Sequence, residues 1–124
     1  MQNLLYFAAF LAFGIGVIHS ILGEKYILTR LFRREDIPKL FGSSDFTIRT
    51  LRFAWHITTI AWWGFAILLI LLAHPPLVLS TVGTVIGCTF IAHFLIAVVG
   101  TKGKHLSWII FLVIGVIAFY ATRT

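Results

Sequence analysis

LVLSTVGTVIGCTFIAHFLIAVVG, residues 77–100, runs for twenty-four residues without an Asp, Glu, Lys or Arg. About 20 such residues as an α-helix are long enough to cross the ~30 Å hydrocarbon core of a bilayer. Three further apolar runs flank it, about Leu4–Leu22, Phe46–His74 and Leu106–Tyr120. Across the 124 residues, 60% are hydrophobic and 11% charged. A soluble domain carries about 25% charged residues. A water-soluble chain of this length has too little interior to hide that much apolar surface, so lipid must cover it. The expected fold is an all-α membrane protein: a four-transmembrane-helix bundle forming one integral membrane domain over residues 1–124. The spans are expected at about 4–22, 46–74, 77–100 and 106–120. Met1-Gln2-Asn3 lacks a basic leader and no A-x-A site closes the first run, so that run is expected to stay as a helix.

The connections set the orientation. Lys25, Arg30, Arg33, Arg34 and Lys39 lie in the first connection, residues 24–45, with Arg49 and Arg52 just beyond it. Lys102 and Lys104 lie in the third connection, and Arg123 alone falls on the opposite side. Nine of ten basic residues on one side is a positive-inside signal. It places both of those connections in the cytoplasm and both termini on the non-cytoplasmic side. The short turns His74-Pro75-Pro76 and Thr101–Lys104 make successive helices antiparallel. Within the first connection, Ile27, Leu28, Leu31 and Phe32 alternate with basic residues and predict a short interfacial helix on the inner leaflet. Ser44 or Asp45 is placed to cap the second span. The net charge of +6 therefore reads as topology and contact with anionic headgroups, not nucleic acid. The expected location is a bacterial inner membrane.

Small residues recur every fourth position at Ala8, Ala12, Gly16 and Ser20, and again at Gly83 and Gly87 with Ser80, Thr84 and Cys88 beside them. Such stripes let helices approach closely in lipid, where packing replaces the hydrophobic effect. Cys88, the single cysteine, has no internal disulfide partner.

The histidines are the chemically informative residues. The topology puts His19, His56, His93 and His105, one from each span, in the cytoplasmic third of the bilayer, and leaves His74 on the other face. Imidazoles in lipid need partners for their ring nitrogens, and ionisable groups there usually face other helices. Four on four helices suggest a shared partner, for which a metal or haem iron is chemically suited. The leading expectation is a histidine-ligated redox or metal centre serving membrane electron transfer. In the b-type haem version His56 and His93 are the axial ligands, Arg49 and Arg52 meet the propionates, and Trp108 packs nearby. In the metal version iron, copper or zinc is held by His19, His56, His93 and His105, with Glu24 as a carboxylate ligand or outer partner. A third version is a quinone or anionic-headgroup site, using His and Trp for the ring and Arg for charge. Two other readings stand beside these: a small oligomeric transporter or channel, and a non-catalytic subunit or assembly factor of a membrane complex. On helix two, Arg49, Arg52, His56, Thr59 and Trp63 share a face by their i, i+3, i+4 spacing, and on helix one Ser20 lies one turn before Glu24.

Overall fold

The computed structural model describes residues 1–123 and is all-helical, with no strand among those residues. Helix α1 (Gln2–Leu22) continues without a break through a π-helical segment (Gly23–Leu28) into the short α2 (Thr29–Leu31). Helices α3 (Asp45–Leu72), α4 (Leu79–Thr101) and α5 (Ser107–Ala121) follow. Three helical stretches are long and apolar enough to cross a membrane: Gln2–Leu31, Asp45–Leu72 and Leu79–Thr101. Helix α5 is apolar but only 15 residues long, a rise of about 22 Å.

The interfacial helix expected inside residues 24–45 is not a separate element. Gly23 adopts ordinary right-handed backbone angles (φ −61°, ψ −50°), so the first helix passes straight through it. The extra residue of the wider π turn is accommodated where the Thr29 hydroxyl donates to Glu24 O at 2.6 Å. Single π segments of this kind re-aim side chains within an otherwise regular helix. Beyond Leu31 the chain turns irregularly. Arg34 grips Asp36 with two hydrogen bonds of 2.8 and 2.6 Å, and Thr47 donates to Pro38 O at 2.8 Å. Ile37 is buried, and a tight turn at Leu40–Ser43 brings the chain back towards α3. Ser44 occupies the N-cap position of α3 without a side-chain capping bond; the Ser43 hydroxyl takes the Asp45 N–H instead.

The helices stand in a row, each packed on its neighbour in the chain: α1 on α3, α3 on α4 and α4 on α5. Among the described residues no Cα of α1 comes within 8 Å of α4 or α5, and none of α3 within 8 Å of α5. Among the described residues the helices form an open palisade, with no interior shared by all four. Small residues make the contacts. Gly16 faces Trp63 and Thr59 of α3, Gly64 faces Thr89 of α4, Gly87 faces Phe119 of α5, and Gly115 faces Ile91. The buried hydrophobic residues are mostly small: Ala9, Ala66, Ala73 and Ala97. Large apolar side chains point outward instead, among them Phe7, Phe10, Phe65, Leu95, Val99, Ile110 and Ile117. That inside-out distribution is stable only with hydrocarbon around it.

Candidate functional site

Where α1 passes into the π segment, two polar side chains of the first helix meet three on the facing turns of α3. Ser20 and Glu24 are one turn apart on the first helix, and Arg52, His56 and Thr59 follow i, i+4, i+7 on α3. The Glu24 carboxylate is held twice. Arg52 Nη2 lies 3.0 Å from Oε1 and its Nε donates to Oε2 at 3.3 Å. His56 Nε2 lies 3.1 Å from the same Oε2. The other imidazole nitrogen, Nδ1, is 2.9 Å from Ser20 Oγ, which is 2.7 Å from Thr59 Oγ1. Thr59 lies 3.2 Å from Gly16 O. A continuous hydrogen-bonded line thus runs from a half-exposed carboxylate to a backbone carbonyl two turns deeper in α1.

On the α4 side of Arg52 and His56 lies a cleft of about 650 Å³. Its polar rim is Asp45, Arg49, Arg52 and His56. Its apolar walls are Ile48 and Phe53 of α3, and Leu95, Ile96 and Val99 of α4. Arg49 Nε donates to both Asp45 carboxylate oxygens, at 3.0 and 2.9 Å, and Nη1 donates to Gly100 O at 3.4 Å. The Arg52 guanidinium carbon stands 4.9 Å from the Phe32 ring centroid, a cation–π contact. Val99 is 73% exposed on the outer surface, so the cleft opens sideways where lipid would be.

Arg49, Arg52, His56 and Glu24 therefore come together, whereas His19, His93, His105 and Trp108 do not join them. The His19 ring stacks flat on Trp55 with centroids 4.5 Å apart. Its Nε2 lies 3.2 Å from Trp55 O, while the Trp55 indole N–H donates back to His19 O at 3.1 Å. His93 is only 6% exposed. Its Nε2 lies 3.2 Å from Ile57 O, and since a carbonyl only accepts, that nitrogen carries the proton. Its ring lies against Phe90 and Phe111. His105 Nδ1 is 2.8 Å from Ser107 Oγ, and its backbone N–H donates to Thr101 Oγ1 at 3.3 Å, closing the α4–α5 turn. The Trp108 indole N–H donates to Gly103 O at 3.2 Å in the same turn. On the opposite face the Tyr6 hydroxyl meets His74 Nε2 at 2.8 Å.

The expected convergence of four imidazoles is thus not formed. Each ring is held by a local partner, and no group of three or more His, Cys, Asp or Glu side chains among the described residues is placed to hold a metal ion. The row explains why: α1 and α5 never share an interior, so His19 and His105 have no common space to point into. The i, i+4 spacing of Ser20 and Glu24 and the Arg52–His56–Thr59 face were visible in the sequence. Asp45 and the α4 wall of the cleft were not, because nothing in a sequence states which turn of α4 lies opposite Arg52. Comparison with protein-family models, curated proteins and solved structures finds no match.

Proposed function

We propose that this is a four-span membrane protein whose α3–α4 cleft binds the head group of a lipid-soluble amphiphile of the quinone class, with its tail in the surrounding bilayer. Residues 32–44 and 102–106 would face the cytoplasm and both termini the other side, as the nine-to-one split of basic residues requires. Helix α5 would span with Lys104 and Arg123 snorkelling at its ends.

The observation that carries the reading is the chemistry of the cleft: hydrogen-bond donors at the rim, apolar walls, and a mouth on the lipid-facing side. Its volume lies in the ~300–1,000 Å³ range of small-molecule sites. Both guanidiniums are already paired with a carboxylate, Arg49 with Asp45 and Arg52 with Glu24. The rim therefore offers N–H donors from guanidiniums that are already paired. Those donors suit a ring bearing carbonyl acceptors.

The test is titration of the full chain in lipid nanodiscs with a decyl-tailed benzoquinone, read by quenching of tryptophan emission. Saturable quenching is expected, weakened about tenfold or more in Arg52→Ala, since hydrogen bonds to a charged donor are worth ~1.5–3 kcal/mol. Leu95→Trp, which fills the cleft from an exposed position, should block binding with the fold intact, and His93→Ala should leave binding unchanged. Quenching that never saturates, or that Leu95→Trp does not alter, defeats the proposal. So does displacement of the quinone by modest amounts of phosphatidylglycerol, which would put an acidic phospholipid there instead.

A further inference from the structure

The hydrogen-bonded line between Glu24 and Gly16 can be counted proton by proton. It contains four links: Glu24 Oε2 to His56 Nε2, His56 Nδ1 to Ser20 Oγ, Ser20 Oγ to Thr59 Oγ1, and Thr59 Oγ1 to Gly16 O, at 3.1, 2.9, 2.7 and 3.2 Å. Each link needs one hydrogen. Both ends, a carboxylate and a backbone carbonyl, are acceptors only. Between them, a neutral imidazole, a serine and a threonine supply three hydrogens. Four links with three hydrogens leave one pair of oxygen or nitrogen lone pairs facing each other at hydrogen-bond distance.

We infer that the Glu24–His56 pair binds one further, exchangeable proton, and that this proton completes the contact between α1 and α3. Arg52 decides where it sits. Two of its nitrogens already donate to the two Glu24 oxygens, which favours the ionised carboxylate. The proton therefore rests on the imidazole, with Nε2–H donating to Glu24 and Nδ1–H to Ser20. Ser20 is then free to donate to Thr59, and Thr59 to Gly16 O, so every link is made. Remove the proton and Ser20 must turn its only hydrogen to the bare Nδ1. Either the Ser20–Thr59 or the Thr59–Gly16 link is then lost, and both join α1 to α3.

The other charged groups near the pair do not alter the count. Arg49 and Asp45, on α3, satisfy each other. On the first helix His19 is turned to Trp55, and Lys25 lies over the Tyr26 ring. The α4 wall of the cleft, Leu95, Ile96, Val99 and Gly100, carries no titratable group. The His56 and Glu24 side chains are 28% and 37% exposed, so the pair is not sealed from exchange. If the quinone-class reading holds, the same proton stands beside the bound head group.

The experiment is nitrogen NMR on full-length protein with ¹⁵N-labelled histidine, in nanodiscs at pH 7 and without quinone, so that it stands or falls apart from the binding proposal. The native His56 ring is expected to carry hydrogen on both nitrogens. Thr59→Val deletes two links, and a neutral imidazole then satisfies the remaining two. The ratio of doubly to singly protonated His56 should fall about two- to tenfold, the equilibrium worth of one hydrogen bond. Should that variant fail to fold, Ser20→Ala carries the same expectation, because it strips the partner from Nδ1–H. A native ring protonated on one nitrogen only, or a ratio unchanged in a folded variant, overturns the inference.

Discussion

Placing a methyl group on Gly23 probes the α1–α3 contact that positions Glu24. The backbone there is ordinary helix, so alanine is conformationally acceptable and its effect is steric. The new Cβ would fall inside contact distance of three atoms of the Trp55 indole. That ring cannot step aside freely, because it donates to His19 O and stacks on the His19 imidazole. Displacing it forfeits about 1 kcal/mol of hydrogen bond and about 1 kcal/mol of ring contact. Residual overpacking adds about 1 kcal/mol. Against this, alanine in a helix gains about 0.5–1 kcal/mol over glycine. The net expectation for Gly23→Ala is a loss of about 2 kcal/mol, given these terms. Gly14→Ala, in the same helix, meets nothing within 4 Å, and should gain about 0.5–1 kcal/mol. Reversible unfolding in mixed micelles on titration with dodecyl sulfate, followed by far-ultraviolet circular dichroism, measures both. If Gly23→Ala proves as stable as Gly14→Ala, the α1–α3 packing is not as described, and the Glu24–Arg52–His56 geometry that depends on it goes too.

Lys102 ends α4 in the left-handed region at φ 53°; Lys102→Gly should raise stability by about 1 kcal/mol in the same assay, since only glycine adopts that conformation without strain. The Arg34 guanidinium beside Asp36 holds its carboxyl below the usual carboxylate range. A carboxyl depressed in the folded state favours folding above its unfolded pKa, and that contribution disappears as pH falls through the folded value. Carbonyl-carbon NMR of Asp36 should therefore show its titration moving up in pH in Arg34→Ala. For topology, single cysteines at Lys39 and Lys102 in a Cys88→Ala background should react with a membrane-impermeant maleimide only after the cytoplasmic face is opened; reaction in sealed cells would refute the proposed orientation.

Much of the fold was legible because hydropathy is a sum over a window. Any helix built from residues 77–100 needs lipid around it, whatever its rotation. The expected runs match α3, α4 and α5 to within two residues at each end. The first run was cut short at Gly23, where polar residues begin. The helix continues there because the backbone can follow a π turn that keeps Tyr26, Ile27 and Leu28 helical. Position along the helix axes was legible too, since rise per residue is fixed at about 1.5 Å. Ser20, Glu24, Arg52 and His56 were all placed near one boundary, and the structure brings them together.

Direction around the helix axis was not legible. His19 and Ser20 are adjacent in the chain, yet about 100° of rotation separates them. One stacks on Trp55 and the other bonds His56 and Thr59. The amino-acid sequence alone determined that the chain forms helices long and apolar enough to cross a membrane, and which residues lie near their basic ends. The order in which helices stand side by side decided which of them touch. Glu24 meets His56 because α1 packs on α3; His19 and His105 do not meet because α1 and α5 stand apart. That order comes from which small residue admits which bulky neighbour, Gly16 beside Trp63 and Gly23 beside Trp55. Such pairings belong to two surfaces at once and cannot be read from either helix by itself.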